Sequence, residues 1–466
     1  MTSASTLTPV LEHIRNHHNE AVNDLVEFLK YPSISAQNVG LDDCAQWLVD
    51  KMQLDGIHDA RRLPTDGGPD VVIGSLRQPN ASKTLLCYGH YDVQPPEPLD
   101  LWHSEPFAAD IRDGIIFARG ATDNKSGVMS FIKAAKAFLQ THSGPPVNLV
   151  FLFEGEEEIG SPHLEDFVEH HRDLLACDAS IGLDGGVNRT SLKPEVHLGI
   201  KAILYVELRL KGLASDLWSG RAQTVKSPVW RLVKALNSLF DVDTGQVRIE
   251  GWYDDWLEPD ADDLEFLKQE VAWFDRDEYK RQLGATHLSH DDDLELLKRA
   301  HYGASANICG LSAGYTGEGS KTIVPAEAMA KLDFRCPPNL EPSIQLDKLK
   351  AHLIKHRFED IEVIVHNARK NPYKVSSRAA ISRATFKAAE ETFGTQPVVH
   401  GVSIQGIIML HIPHPAVLSG FGAPDNNLHA PNENMPIDRY LQGIEYAARI
   451  MANYALEPES SAPDVL

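Results

Sequence analysis

The hydrophobic and polar positions in the first part of the chain follow two alternating periods. Residues 8–30, 40–54 and 126–141 carry apolar side chains at the spacing of an amphipathic helix. Short, nearly continuous apolar runs stand between and after them, as in strands that are buried on both faces. These runs occupy 71–76, 84–93, 148–155 and 180–186. Helices that alternate with such strands predict an α/β sheet covered on both sides.

The pattern changes near residue 200. The segments 203–212, 331–337 and 360–366 alternate apolar and polar residues, which is typical of antiparallel strands with one face toward solvent. After Asn371-Pro372-Tyr373 the first pattern returns, with a helical stretch at 379–393. The middle of the chain is therefore predicted to be a separate structural unit.

Together the two patterns predict an α/β fold made of a split domain and an insertion. The split domain covers 1–197 and 371–466, with a mixed, mostly parallel sheet flanked by helices. The insertion, 198–370, is predicted to be an α+β domain. A chain of 466 residues exceeds the usual size of one hydrophobic core, which agrees with this division.

The composition of the chain disfavours several kinds of binding partner and of site. The formal net charge is −22, and an acidic surface repels polyphosphate, so nucleic acid and anionic membranes are poor partners. We expect no membrane span and no secretory signal, because no long apolar run is present and the N-terminal residues lack the basic and apolar segments of a leader. The scattered cysteines include no C-x-x-C pair, which disfavours disulfides and thiolate zinc sites. A cytoplasmic location is expected.

His90 and Asp92 stand near the end of the apolar run at 84–93. Side chains two residues apart on a strand point to the same face, and open α/β sheets bind ligands beyond the carboxyl ends of their strands. A neutral imidazole binds metal well, and a neighbouring carboxylate can orient it. The alternative is an ordinary hydrogen-bonded histidine at a strand–loop junction.

Asp123 lies in a glycine-flanked segment, Arg119–Gly127, just before the predicted helix at 126–141. It could simply cap that helix. Its two carboxylate oxygens could also bridge two cations about 3.5–4 Å apart. The flanking glycines permit an unusual backbone here, so both interpretations stay open at this position.

A cluster of four acids, Glu154, Glu156, Glu157 and Glu158, follows the apolar run at 148–155. A solvated acidic loop is the ordinary explanation of such a charge run. Repulsion between close carboxylates is relieved, however, when cations lie between them. Adjacent side chains diverge, so one acid can bind metal while its neighbour takes a proton from water, which is the division of labour that a hydrolase needs.

Asp184 and His429 are weaker candidates by themselves, because Asp184 could be a turn residue and His429 an ordinary loop histidine. These two residues support a metal site only in combination with the other candidates. With His90, Asp123 and an acid of the glutamate cluster, they fit one dinuclear site built from nitrogen and oxygen ligands. Such a set, without cysteine, suits Zn²⁺, Mn²⁺ or Co²⁺.

Three longer segments carry a resemblance to a known family. YGHYDVQPPEP at 88–98, WHSEPFAADIRDGIIFARGATDNKSG at 102–127 and FEGEEEIGS at 153–161 resemble the M20 family of metallopeptidases, in particular its carnosinase-like dipeptidase branch. The similarity covers nearly the whole chain. It implies a split catalytic domain, an inserted lid domain that also forms a homodimer, and two zinc or manganese ions per subunit.

The resemblance also implies how the ligands are shared between the two ions. Asp123 would bridge both ions. His90 and Asp184 would complete one site, while Glu158 and His429 would complete the other.

The resemblance assigns three further features around these ligands. Glu157 would be the general base, and Asp92 would support the imidazole of His90. The peptide bond between Asp123 and Asn124 would be cis. The resemblance therefore implies hydrolysis of an amide bond by an activated water.

Substrate contacts are implied in and beside the insertion. Thr322 and Arg335 match segments that hold the substrate's backbone and carboxylate in the family, and Ser403 matches a serine that contacts the substrate's end. A guanidinium suits a carboxylate because the two groups form paired hydrogen bonds. A surface ion pair is the alternative explanation of Arg335.

The chain departs from the family pattern at three places. The family segment Asp-Leu-His-Ser-Gly has Trp218 in place of its histidine, which in the dipeptidases crosses the dimer and steadies the oxyanion. An indole offers one neutral N–H and no charge. A glycine pair is also replaced, around Gln223-Thr224, and the proline expected after Ser-Ile is Gln405.

The sequence thus predicts a dinuclear metal-dependent hydrolase that cleaves the amide bond of small peptides, dipeptides first. One alternative is an enzyme with the same chemistry but another substrate, namely an N-acyl amino acid deacylase or a carboxypeptidase. Another is a non-catalytic homologue that binds metal or ligand, which Trp218 alone supports.

Overall fold

The computed structural model describes residues 4–368, 371–403, 411–412, 415–458 and 464–465. Its α-helices are α1 Ala4–Asn16, α2 His18–Leu29, α3 Leu41–Leu54, α4 Lys125–Thr141, α5 Leu164–His170, α6 Pro228–Leu239, α7 Ala261–Val271, α8 Arg276–Leu283, α9 Asp293–Tyr302, α10 Pro342–Lys355, α11 Ala380–Phe393 and α12 Ile437–Leu456. Short 3₁₀ segments occupy Ser35–Gln37, Leu99–Leu101, Glu157–Ile159 and Ser219–Thr224.

The strands are short, and most of them belong to two sheets. They are β1 Arg61–Leu63, β2 Val71–Leu76, β3 Thr84–His90, β4 Asp110–Arg112, β5 Ile115–Phe117, β6 Asn148–Glu154, β7 Ala179–Leu183, β8 Glu195–His197, β9 Gly199–Ile200, β10 Ala202–Lys211, β11 Leu217–Trp218, β12 Phe240–Asp241, β13 Gln246–Val247, β14 Ser305–Ala313, β15 Ile323–Val324, β16 Glu327–Cys336, β17 Glu362–Asn367, β18 Tyr373–Lys374, β19 Val398–His400, β20 Ala416–Ser419 and β21 Asn434–Pro436.

Packing divides the described residues into two compact units. Unit 1 takes in those of Met1–Leu198, Val375–Gly401 and His411–Leu466, and unit 2 takes in those of Gly199–Lys374 and Val402–Leu410. No helix in the described part of either unit has the length and apolar composition of a membrane-spanning segment.

Unit 1 is built on an eight-stranded sheet in the order β1-β2-β6-β3-β7-β20-β8-β19. The pairs β6-β3, β3-β7, β7-β20 and β8-β19 are parallel, and the other three pairs are antiparallel. Helices α3, α4 and α11 pack against its strands. Every residue from Leu85 to His90 is buried, as expected for a strand covered on both faces. The predicted α/β class with a mixed, mostly parallel sheet is confirmed.

Unit 2 contains an antiparallel sheet in the order β14-β16-β10-β17. Along β10, the side chains of Leu204, Val206 and Leu208 are buried in the core, whereas Arg209 and Lys211 are exposed. Helices α6 and α10 pack on this sheet. The alternation that the sequence shows in this segment therefore reflects one buried face and one solvent-facing face.

The strand order of unit 1 determines where its polar strand ends meet. β3, β6 and β7 are parallel neighbours, so their carboxyl ends lie at one edge of the sheet. β3 ends at His90, β6 ends at Glu154, and Asp184 directly follows β7. Ligands of open α/β sheets bind at this edge.

Candidate metal centre

One group of ligand-type side chains surrounds the imidazole of His90. Its Nε2 lies 3.0 Å from Oδ1 of Asp123 and 3.5 Å from Oδ2 of Asp184. Each of the three residues offers one ligand atom, and these atoms lie within 4.8 Å of one another. His90 is fully buried at the end of β3, so the sheet itself determines the direction of this imidazole.

A second group shares Asp123 with the first. Oδ2 of Asp123 lies 2.9 Å from Nε2 of His429, and that nitrogen lies 3.4 Å from Oε2 of Glu158. The ligand atoms of these three residues also lie within 4.8 Å of one another. The two oxygens of Asp123 thus face two different imidazoles. The structure brings together all five side chains that the sequence suggested as metal ligands.

The donor set fits divalent cations. Nε2 of His90 is buried, and no hydrogen-bond partner of acceptable geometry faces it among the described residues. Burial, followed by the charge of Asp123, raises the pKa of Asp184. Hydrogen bonds that the ring of His429 donates to the carboxylates of Asp123 and Glu158 raise the pKa of His429 to about 10. Both shifts favour extra positive charge among these carboxylates, and a divalent cation would supply it.

The backbone at Asp123 is set by close packing between α4 and β7. Nδ2 of Asn124 donates to the carbonyl oxygen of Leu183 at 2.6 Å, and Oδ1 of Asn124 lies 3.3 Å from the backbone nitrogen of His90. A Cβ atom at Gly127 would overlap the same carbonyl oxygen of Leu183, so glycine is required for this approach. The Asp123–Asn124 peptide bond is cis, as the resemblance implies.

Asp92 contacts more than the imidazole that the sequence assigns to it. Its Oδ1 lies 3.3 Å from Nδ1 of His90. Its two carboxylate oxygens accept the backbone N–H groups of Glu157 and Glu158, each at 3.1 Å. One buried carboxylate therefore holds both the β3 end and the turn that carries these two glutamates.

Glu157 also lies close to the imidazole of the first group. Its Oε2 lies 3.9 Å from Nε2 of His90. Burial, and then the nearby charges of Asp184 and Asp123, raise the pKa of Glu157 well above its usual range even though the charge of His90 opposes them. Glu156 points elsewhere, because its carboxylate contacts the backbone and ring nitrogens of His163.

Two residues that the sequence did not single out support the proposed ligands. Nε2 of Gln94 donates to Oε2 of Glu158 at 2.8 Å, and the backbone N–H of Gln94 donates to Oε1 at 3.1 Å. Glu433, four residues after His429, is fully buried and contacts the Asp123 segment. Gln94 lies inside the segment at 88–98 that carries His90, whereas Glu433 lies outside every segment quoted for the resemblance.

The residues predicted to contact substrate belong to unit 2. Trp218 in β11 pairs with β15 and is 70% exposed. Ser219 donates its backbone N–H to the carbonyl oxygen of Thr322 at 3.1 Å, so Trp218 and Thr322 are close neighbours. Gln405 lies outside the described residues.

Arg335 and Ser403 lie beside the strands that open unit 2. Nε of Arg335 lies 3.5 Å from Oδ2 of Asp333, which is the exposed ion pair considered as its alternative explanation. Arg335 stands opposite Ile203 in the β10–β16 ladder, and Ser403 forms a parallel bridge with Ile200. The two residues therefore flank neighbouring positions of one segment.

The chain matches one protein family over most of its length. The family model described as "Peptidase family M20/M25/M40" matches residues 86–453. A Cys-Gly metallodipeptidase DUG1 from Candida albicans is 26% identical over 94% of this chain and 95% of its own. A human Beta-Ala-His dipeptidase is 27% identical over 96% of this chain and 93% of its own.

Solved structures of M20 family proteins have the same fold as this chain. An M20 family metallo-carboxypeptidase, Sso-CP2 from Sulfolobus solfataricus, is 37% identical, with a TM-score of 0.81 over 94% of this chain and 99% of that chain. Human carnosine dipeptidase 1 is 27% identical, with a TM-score of 0.68 over 97% and 99%.

Proposed function

The chain belongs to peptidase family M20/M25/M40, and on that premise we propose that it is a dipeptidase with two divalent metal ions. The observation that carries the proposal is the position of Asp123. Its two oxygens face the imidazoles of His90 and His429 at 3.0 and 2.9 Å. A carboxylate between two such nitrogens supports a shared ligand of a dinuclear site.

The proposed ligands divide between two ions. His90 and Asp184 would hold one ion, Glu158 and His429 the other, and Asp123 both. Nitrogen and oxygen ligands of this kind suit Zn²⁺ or Mn²⁺, with Co²⁺ as a substitute. When bound, the ions would lower the pKa of water toward neutrality and polarise the scissile carbonyl.

Glu157 is proposed to move the proton. Its carboxylate accepts a proton from the water whose oxygen attacks the carbonyl carbon. As the carbon–nitrogen bond breaks, the protonated Glu157 gives this proton to the leaving amine. Asp92 supports this role, because it holds the backbone N–H of Glu157 and lies beside Nδ1 of His90.

Unit 2 is proposed to supply the substrate contacts. Arg335 would hold the free carboxylate of a short peptide, while Thr322 and Ser403 would contact its backbone and its end. Trp218 would offer one N–H where the family has a histidine, without a positive charge. Removal of one oxyanion donor typically costs about 10²–10³ in rate, so the N–H of Trp218 would have to serve as that donor for full activity.

The unit assignment is part of the same proposal. Unit 1 would be the catalytic domain, and unit 2 would be the lid through which two copies form a homodimer. A cytoplasmic location is proposed because the five cysteines, all in the described part of the chain, are free thiols, as is usual in reducing compartments.

A carboxypeptidase is the second candidate function. It is favoured by the 37% identity to a metallo-carboxypeptidase of the same family. Both activities release an amino acid with a free carboxylate. They differ at the other end of the substrate, because a dipeptidase requires a free amine and a carboxypeptidase accepts a blocked one.

A panel of matched substrates tests these functions on protein stripped by a chelator and reloaded with Zn²⁺, Mn²⁺ or Co²⁺. We expect hydrolysis of a free dipeptide and little hydrolysis of its N-acetylated form. Equal hydrolysis of both forms would indicate a carboxypeptidase, and a preference for N-acyl amino acids would indicate a deacylase. A metal-loaded protein that cleaves none of them would refute the enzymatic proposal and favour a binding homologue.

A further inference from the structure

The carboxylate of Glu433 accepts four hydrogen bonds in the interior of unit 1. Its Oε2 accepts from Nη1 of Arg119 at 2.8 Å and from the backbone N–H of Gly120 at 2.9 Å. Its Oε1 accepts from the backbone N–H groups of Thr122 and Asp123 at 2.9 and 3.1 Å. Glu433 therefore binds the backbone of the segment that ends at the shared ligand, Asp123.

The contact also ties this segment to the loop that carries His429. The backbone carbonyl of Glu433 accepts the N–H of Ala118 at 3.0 Å. The hydroxyl of Thr122 donates to the carbonyl oxygen of Asn434 at 2.8 Å. Two segments more than 300 residues apart in the chain are thus joined on both sides of the Glu433 carboxylate, and each segment supplies one ligand of the second group.

The burial of Glu433 and Arg119 makes their contacts costly to break. The side chain of Glu433 is fully buried and that of Arg119 is 1% exposed. Without access to water, each donor that loses its acceptor remains unsatisfied, which is costly in a low-dielectric interior. A carboxylate has two oxygens that only accept, so it is the side chain that satisfies all four donors at once.

We propose that Glu433, held by Arg119, is a positioning residue that orients Asp123 relative to His429 and thereby tunes metal binding. The proposal rests on the proposed function, because it takes these two residues as metal ligands. Residues that orient metal ligands typically change metal affinity by about 10–100-fold when they are replaced.

Glu433→Gln is the principal test. The amide keeps the shape of the side chain, but its NH₂ group faces N–H donors. We expect the affinity for Zn²⁺, measured by competition with a chromogenic chelator, to fall by about 10–100-fold at one of the two ions. The visible absorption of the Co²⁺-loaded protein should change as well. For dipeptide hydrolysis, kcat should fall while KM stays within about threefold, because no substrate contact is removed.

Asp55→Asn is the matched control. Asp55 is also buried in unit 1, where its carboxylate binds Lys133 and Lys136 at 2.6 and 2.8 Å. This variant should lower the melting temperature and leave the Zn²⁺ affinity and the Co²⁺ spectrum unchanged. Arg119→Lys is a milder second variant, which keeps the charge but loses the planar fork. We expect a Zn²⁺ affinity between those of the wild type and Glu433→Gln.

The outcomes separate this proposal from the proposed function. If Glu433→Gln melts earlier but keeps the wild-type Zn²⁺ affinity and Co²⁺ spectrum, Glu433 is only structural and the inference is wrong. If Glu433→Gln does not fold, unchanged Zn²⁺ affinity in Arg119→Lys overturns it equally. Failure of the proposed function would appear in the wild type, as absence of tight Zn²⁺ binding or of peptide turnover.

Discussion

Oδ1 of Asp92 accepts the backbone N–H of Glu157 at 3.1 Å. The same oxygen lies 3.3 Å from Nδ1 of His90, and Oδ2 accepts the backbone N–H of Glu158 at 3.1 Å. One buried carboxylate therefore supports the proposed base and two proposed ligands. Its replacement should affect metal binding and proton transfer together.

Asp92→Asn should show this double effect. An amide has one oxygen, so its NH₂ group would face one of the donors that Asp92 now satisfies. We expect Zn²⁺ affinity and kcat each to fall by about 10–100-fold, as measured by chelator competition and by dipeptide hydrolysis. Asp178→Asn is the control, because Asp178 accepts the N–H of Thr84 at the opposite end of β3. Equal behaviour of the two variants would contradict the role of Asp92.

Replacement of the proposed base gives a different pattern. In Glu157→Gln, kcat should fall by about 10²–10⁴ while metal analysis still finds close to two ions per chain. The neighbouring variant Glu156→Gln removes an acid whose carboxylate contacts His163. It should keep kcat within about threefold, since general acid–base contributions require a group at the reacting atoms. Full activity of Glu157→Gln would refute the base assignment.

Much of the arrangement could be predicted because several of the proposed ligands adjoin a regular element, although His429 lies in a loop between β20 and β21. His90 and Asp184 end or follow strands of a parallel sheet, and Asp123 precedes a helix. Strand ends of such sheets meet at one edge, so local pattern alone indicates proximity. The structure brings the five residues together, whereas their roles remain predictions.

The supporting contacts could not be predicted in the same way. Glu433 binds a backbone more than 300 residues earlier in the chain, and Gln94 reaches Glu158 across a loop. Spacing along the chain carries no information about such pairs. The helical pattern at 8–30 also conceals an interruption at His17, between α1 and α2. Both helices bury the same side of the chain, so the spacing of apolar residues continues through the short break between them.

Metal removal should lower the stability of unit 1. Burial and neighbouring charges raise the pKa values of Asp184 and Glu157, so the apoprotein holds carboxyl groups that lack compensating charge. At an ion concentration of about 100 Kd, binding adds about 2.7 kcal/mol to the free energy of unfolding. We expect the melting temperature in calorimetry to rise by several degrees on addition of Zn²⁺, and the rise to be smaller in Asp184→Asn. Identical melting curves with and without Zn²⁺ would argue against a resident ion.

His352 should make the stability of unit 2 depend on pH. It is 4% exposed and its Nε2 lies 3.0 Å from the hydroxyl of Ser238. Burial, together with His356 and Lys355, lowers the pKa of His352 to about 4. An unfolded histidine titrates near 6.5, so the unfolded state binds more protons below that pH. The stabilisation is complete above pH 6.5 and is lost as the pH falls toward 4.

The measurement is urea unfolding between pH 7.5 and 4. A shift of this size corresponds to at most about 3 kcal/mol. We expect the free energy of unfolding to decline across this range in the wild type and the decline to be shallower in His352→Gln. His356→Gln, which alters an exposed imidazole, should keep most of the slope. A wild-type slope that His352→Gln leaves unchanged would contradict the assignment.

Arg335 is the residue with which the proposed substrate class can be tested most directly. Its guanidinium is 46% exposed and its contact with Asp333 spans 3.5 Å, so little free energy holds it in place and a substrate carboxylate can recruit it. A charge-assisted hydrogen bond contributes about 1.5–3 kcal/mol, which corresponds to a loss of about 10–100-fold in kcat/KM for a free dipeptide in Arg335→Met. The corresponding dipeptide amide, which has no carboxylate, should be cleaved equally by wild type and variant. Arg335→Lys should fall between the two, since a lysine keeps the charge and loses the paired hydrogen bonds.

The matched control for this experiment is Arg209→Met. Arg209 belongs to β10 of the same sheet, is equally exposed and pairs with Glu207 at 2.6 Å. Its loss should leave kcat/KM for both substrates within about twofold, as expected for a surface ion pair. If Arg335→Met lowers the rates for dipeptide and amide alike, the guanidinium does not recognise a carboxylate. The proposed preference for short peptides would then need another source in unit 2, and Trp218, exposed beside Thr322, is the next residue to replace.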